Sequence, residues 1–305
     1  VLKNKNGLFM TESIDKIKEN LVFFELKPEV AERLGLPATV PILQADLDQE
    51  LAKGKISPSA IAAGIEALKF LKPATPEYDP FLARYYSLEG QRFMQENPPD
   101  YFQAQRFLQK AIDLEAGAFS AEAAYYLATI LEPDDPEKAI AYYRRSIELY
   151  PKSAAAHFEL ALLLRERRDL EGAMHEFLEA YRIDPNSANL LNEIGDTHLL
   201  NNNWDNARAA FARAADLDKE YWVLPIKLGI ADYQVQDFRA AVKHLRIGLE
   251  KTPDVLNDTG EQELYLQGLY YLAMAYKNLG DPVRARKLYQ SILQIAPDFQ
   301  LDLDD

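Results

Sequence analysis

The chain has 305 residues, 48% of them apolar, and a formal net charge of −14 from 34 Lys and Arg against 48 Asp and Glu. Such a surface repels nucleic-acid phosphate and anionic lipid, so neither is an expected partner without a local basic patch, and the sequence offers none. The chain has no cysteine, which excludes disulfides, zinc knuckles and thiol catalysis, and it has no apolar run of the roughly 20 residues that a membrane-spanning helix needs.

The opening VLKNKNGLF has a basic start but no long apolar stretch, so it does not read as a secretory signal. Met10-Thr11-Glu12-Ser13 reads as a natural start behind a short upstream extension. These features predict a cytoplasmic protein, or a periplasmic one if a leader has been trimmed.

In chain order, Ile14, Ile17, Leu21 and Phe24 recur at helical spacing behind Thr11 or Ser13 as an N-cap, and predict a short helix. Pro28, Pro37 and Pro41 interrupt the next stretch. Residues 41–72 read as a degenerate helix pair, with Leu47 and Leu51 on its first helix and Ala60, Gly64 and Ala67 on its second. Residues 1–80 therefore form an expected irregular helical cap; the alternative is an amphipathic arm that docks onto a partner or into the protein's own groove. Pro73, Pro76 and Pro80 make a stiff linker.

From Leu82 the pattern becomes regular. Tyr86, Gly90 and Phe93 precede Ala104, Leu108 and Ala111; then Ala124, Leu127, Ala128 and Leu131 precede Ala139, Tyr143 and Ser146. The stretch Ala154 to Ser187 places His157, Leu160, Ala161 and Leu164 on one helix and Ala173, Phe177 and Ala180 on the next. The pattern returns after 34 residues as Leu191, Ile194, Gly195, His198, Ala207, Phe211 and Ala214, and after 34 more as Pro225, Leu228, Gly229, Asp232, Ala241, Leu245 and Gly248. A sixth copy, Leu269, Leu272, Ala273, Tyr276, Ala285, Tyr289 and Ile292, comes ten residues late. The insert falls near 254–264 and is expected to be a surface loop or an extra helical turn.

A 34-residue period with small residues at these spacings resembles the tetratricopeptide repeat, W-x2-L-G-x2-Y, then A-x3-F, then P. The resemblance covers about residues 82–297. It implies an all-α fold, a right-handed superhelical solenoid of antiparallel helix pairs, with residues 82–305 forming six repeats and the first helices lining a concave side. Small residues sit where paired helices approach most closely, namely Ala161, Gly195, Gly229 and Ala273 against Ala173, Ala207, Ala241 and Ala285. A larger side chain at such a point overpacks, at about 1–3 kcal/mol. Phe177, Phe211, Leu245 and Tyr289 are the knobs beside them, and Asp169, Asn203, Asp237 and Asp281 are the expected N-caps of the second helices.

Chemistry is harder to find. His157 and His198 fall on packing positions. His175-Glu176 begins like H-E-x-x-H, but Glu179 stands where the second ligand should be. His244, beside Lys243 and Arg246, reads as a solvated basic face. No nucleophile elbow, phosphate loop or EF-hand is present, and residues 1–80 hold neither His nor Cys. The expectation is a non-catalytic protein with no cofactor and no metal.

What remains is recognition. Carried onto this chain, the family's ligand-facing positions fall on Tyr125 and Thr129, then Phe158 and Leu162, then Asn189, Asn192 and Asp196, then Ile226, Ile230 and Tyr233, and finally Tyr270, Met274 and Lys277. Large apolar residues at solvent-facing positions mark an interaction surface. The chaperone-binding members hold a carboxylate with Lys, Asn and Arg; here the corresponding positions are mostly apolar or acidic, with Lys227 the only base at them in the central repeats. The expected ligand is thus an apolar or amphipathic protein segment, bound by a scaffold that helps assemble a larger complex. The alternative is a self-associating structural subunit, a homo-oligomer formed through the C-terminal end, where Leu288, Ile292 and Ile295 lack a polar capping helix.

Overall fold

In the computed structural model, residues 79–253 and 259–297 are described, together with four short strands before them. The strands are β1 (Leu2–Lys3) and β2 (Phe9–Met10), paired antiparallel, and β3 (Leu21–Glu25) and β4 (Thr39–Leu43), paired antiparallel from Leu21↔Leu43 to Glu25↔Thr39. The helix expected through Leu21 and Phe24 is therefore corrected: these residues lie in a strand. Leu21-Val22-Phe23-Phe24 is an unbroken apolar run rich in strand-favouring side chains, and Val40 and Ile42 supply the same chemistry opposite. The expected pair over 41–72 begins in β4, and its remainder lies outside the described residues, as does Ile14 to Ile17.

From Asp79 every described element is a helix. The twelve are α1 (Asp79–Met94), α2 (Tyr101–Ile112), α3 (Ala118–Leu131), α4 (Pro136–Leu149), α5 (Ala154–Glu166) and α6 (Leu170–Ile183), then α7 (Ala188–Leu200), α8 (Trp204–Leu217), α9 (Val223–Gln234), α10 (Phe238–Lys251), α11 (Thr259–Asn278) and α12 (Pro282–Ile295). They pack in sequential antiparallel pairs, as the repeat pattern predicts. Contacts divide the chain into two units, 1–156 and 157–305.

The first unit's core joins Leu82, Leu108, Ala111, Ile112, Ala124 and Leu127 from α1, α2 and α3. A Cβ on Gly90 would come within 2.6 Å of the Leu108 side chain, so this crossing admits only glycine without displacement. In the second unit the same device recurs: a Cβ on Gly195 would meet the Phe211 ring at 2.5 Å, and one on Gly229 would meet Leu245 at 2.5 Å. Phe177, Phe211 and Leu245 are fully buried knobs.

Caps set where the second helices start. Asp169 accepts from Gly172 N at 2.9 Å, Asp237 from Ala240 N at 3.1 Å and Asp281 from Arg284 N at 3.1 Å. Asp100 and Asp135 do the same for α2 and α4. Asn203 is the exception among the expected caps, since its side chain makes no capping bond.

The ten-residue insert resolves into helix from Thr259 onward. At 20 residues α11 is longer than α5, α7 or α9, and it begins about two turns ahead of the template start. At the last helix the expectation of an open face is half right. Ile292 is fully buried, whereas Val283 and Ile295 are 66% and 56% exposed.

Candidate functional site

In the second unit the first helices α5, α7, α9 and α11 are linked side by side through named contacts. Arg165 on α5 pairs with Glu193 on α7 at 2.6 Å and also donates to the Glu193 carbonyl at 3.3 Å. Lys227 on α9 reaches back to α7, donating to Asn192 Oδ1 at 2.9 Å and to Asp196 Oδ2 at 2.6 Å. Asn192 in turn donates to Glu193 Oε1 at 3.1 Å. Two cations and two carboxylates thus close one network across three helices and neutralise each other.

Burial pushes the Asp196 carboxyl above its ordinary range, although the Lys227 ammonium beside it acts in the opposite direction. Removing either partner would strand the other half-buried, which is why such pairs are costly to break. Lys227 is consequently engaged, not free to clamp a carboxylate.

Aromatic contacts make the link between α9 and α11. The Tyr233 ring lies 5.2 Å from Tyr271 and 5.4 Å from Phe238, and Tyr270 lies 5.5 Å from Tyr271 and 6.4 Å from Tyr289. Tyr289 donates its hydroxyl to the Met274 sulfur at 3.0 Å, and Asn278 donates to the Tyr233 hydroxyl at 3.4 Å. Burial raises the Tyr271 and Tyr289 hydroxyls above their usual range; Tyr271 accepts from Gln234 Nε2 at 3.4 Å. On α5, Phe158 is half-buried with its ring edge-on to Phe177 at 5.8 Å, and Leu162 is half-buried one turn before Arg165.

The predicted site residues therefore fall into three groups. Phe158, Leu162, Asp196, Tyr233, Tyr270 and Met274 keep partial exposure, and Asn189 is exposed. Tyr125 and Thr129 belong to the first unit; Tyr125 is half-buried beside Tyr126 and Tyr143, and exposed Thr129 donates back to the Tyr125 carbonyl at 3.1 Å. The third group is a correction: Asn192, Ile226 and Ile230 are buried, Ile226 completely.

Ile226 is a core knob between two glycines. A Cβ on Gly268 of α11 would sit 3.1 Å from it, and one on Gly248 of α10 would collide with it. Leu264 and Tyr265, from the added turns of α11, pack on the same cluster. The close approach of α10 and α11 at these glycines puts a predicted groove position in the core.

Sequence reasoning also missed a cluster where α9 meets the second helices α8 and α10. Asp232 on α9 is fully buried, with Arg208 Nε of α8 2.6 Å from one carboxylate oxygen and His244 Nδ1 of α10 2.6 Å from the other. Arg208 also donates to Asp237 at 3.0 Å. His244 is thus not a solvated basic residue, because a buried carboxylate orients it. The available signal was Asp232 itself, an acid at the template's tyrosine position.

Of the two histidines read as packing positions, His157 is buried and His198 half-buried, while His175 is exposed. His157 is buried with Nδ1 2.6 Å from Glu176. Burial would raise Glu176, but hydrogen bonds and charge from His157 and His175 outweigh it and hold that carboxyl below its ordinary range. Desolvation lowers His198.

Tetratricopeptide-repeat family models match residues 134–188 and 266–299, the first spanning α4 to α6 and the second most of α11 with α12. The chain carries tetratricopeptide repeats in these segments. No curated protein sequence matches it. Among solved tetratricopeptide-type folds, YrrB, described as a protein with an unusual peptide-binding site, superposes with a TM-score of 0.54 at 19% identity, over 64% of this chain and 94% of that one. PilF of Pseudomonas aeruginosa gives 0.54 at 16% identity over 72% and 95%. The C-terminal part of a repeat protein from Cytophaga hutchinsonii gives 0.55 at 15% identity over 78% and 92%. At these identities the likeness concerns the fold. No helix of the described residues is long and apolar enough to cross a membrane.

Proposed function

We propose that α5, α7, α9 and α11 form a groove that binds an apolar or amphipathic segment of a partner protein, and that the protein works as a non-catalytic scaffold in assembling a complex. The observation that carries this reading is the self-neutralised centre of the face. Asn192 and Asp196 satisfy Lys227, Glu193 satisfies Arg165, and half-buried Phe158 and Leu162 on one side and Tyr233, Tyr270 and Met274 on the other supply apolar contact. A carboxylate tail would compete with Asp196 for Lys227 and leave that acid unpaired, whereas an apolar segment leaves the network intact. YrrB's peptide-binding description on the same fold is consistent with this use.

The test is a pull-down from native extract with Phe158→Glu and Tyr233→Glu. Ile226 is unsuitable because burial would make its variant a folding mutant. Loss of the partners recovered by the native protein, with helical content unchanged, is the expected result; unchanged recovery rejects the groove. Self-association through α12 is the second reading, favoured by the exposed Val283 and Ile295. Light scattering at high concentration decides it, since a strict monomer counts against it.

A further inference from the structure

A cleft of about 470 Å³ lies between α8 and α10 with α9 as its floor, apart from the face just described. Its middle is apolar, lined by Ala212 and Ala215 on one wall, Ile247 on the other and Pro225 and Leu228 below. Arg208, Asp232 and His244 close one end. Asp216, Asp218, Lys219 and Lys251 complete the lining, so the apolar middle is flanked by charge, and the volume lies within the range of small-ligand sites.

Two residues account for the space. Pro225 and Asp232 occupy positions where the repeat template carries Trp and Tyr. The corresponding pairs elsewhere in the unit are His157 with Leu164, Leu191 with His198, and Leu269 with Tyr276, each including a large side chain. Only here are both filling groups replaced by smaller ones, and one replacement is a fully buried acid. Stability does not explain that acid, because a buried ion pair is often matched or bettered by apolar residues of similar volume.

The hydrogen bonding identifies what the cleft can recognise. Asp232 Oδ2 is hydrogen-bonded to His244 Nδ1 at 2.6 Å, whereas Oδ1 lies within ion-pair distance of Arg208 Nε without a hydrogen bond to it. An ionised carboxylate only accepts, so His244 Nδ1 carries the hydrogen between them, and Nε2 is the ring nitrogen left on the cleft wall. A hydroxyl suits Nε2 in either protonation state, donating to it when the ring is neutral and accepting from it when charged. We infer that this cleft binds a hydroxyl-bearing aromatic group, with its ring along Pro225, Leu228 and Ile247 and its hydroxyl on His244. The source is either a free phenolic compound or the tyrosine side chain of a polypeptide.

Titration of the isotope-labelled protein with p-cresol and with toluene, monitored by amide NMR shifts, tests this directly. Saturable p-cresol shifts at Ala212, Leu228 and Ile247 are expected, with toluene at least tenfold weaker. In His244→Phe the two probes should bind equally. If that variant loses its dispersed spectrum, Ile247→Trp fills the mouth from an exposed position and should abolish the p-cresol shifts. N-acetyl-tyrosinamide then separates the sources: affinity equal to p-cresol assigns the cleft to a polypeptide tyrosine, and a loss of tenfold or more assigns it to a free phenol. Absence of saturable p-cresol shifts at the cleft in the native protein, or equal affinity for p-cresol and toluene, overturns the inference.

Discussion

The α7/α8 and α9/α10 pairs are built on one template, adjacent in one unit, and closed by different physics. Both lock a large apolar knob against a glycine, Phe211 on Gly195 and Leu245 on Gly229. Beyond that crossing they diverge. In the first pair the template tyrosine position carries His198, half-buried and depressed by desolvation; in the second it carries Asp232, held by a guanidinium and an imidazole from flanking helices. Even the caps differ, because Asp237 holds the start of α10 while the Asn203 side chain makes no such bond at α8. The shared positions establish the fold, and the divergent ones are where a repeat can acquire a separate use.

Substitutions at these positions put the contrast to the test. The largest effect is expected from Phe211→Ala, which leaves a cavity over Gly195 and should lower unfolding free energy by about 4 kcal/mol in urea titration. Asp232→Ala should come next at about 3 kcal/mol, since it strands Arg208 and His244 together. If Asp232→Leu proves as stable as the native protein, the acid is retained for something other than stability, as the cleft reading requires. Gly195→Ala, which drives a methyl into the Phe211 ring, should cost about 2 kcal/mol. Asp237→Ala should lose about 1 kcal/mol, against a few tenths or less for Asn203→Ala.

The smallest effect is a pH slope. Burial lowers His198 in the folded state, so the unfolded chain takes up the proton more readily. The stability it confers is complete above the ordinary imidazole range and is lost as pH falls through that range toward the folded value. His198→Phe should flatten this part of the stability curve without altering the neutral plateau.

Much of this architecture was legible in the chain. The 34-residue period placed helices, glycine crossings and knobs, because one hairpin cannot bury its own apolar face and each copy must reuse the same small and large positions. Ile226 was not legible, because its burial comes from the neighbouring helices, which close on it at Gly248 of α10 and Gly268 of α11, and no property of the α9 sequence encodes that approach. Asp232 and His244 were visible only as oddities, twelve residues apart on different helices, with Arg208 on a third. The strand at Leu21–Glu25 was missed because Leu21 and Phe24 also fit a helical face, and the deciding partner, Thr39–Leu43, is non-local. On the proposed face, Phe158, Tyr233 and Tyr270 were found by template position, whereas the neutralisation of Lys227 emerged only from distances.

Whether the first helices of the second unit receive a partner segment is decided by site-specific photo-crosslinking. A benzophenone amino acid would be placed at Leu162 on α5 and, as the control, at exposed Leu178 on α6. After irradiation in native extract, a discrete adduct is expected from position 162, competed by excess unlabelled protein, and none from position 178. Equal labelling at both positions, or an adduct only at 178, would contradict the proposed groove.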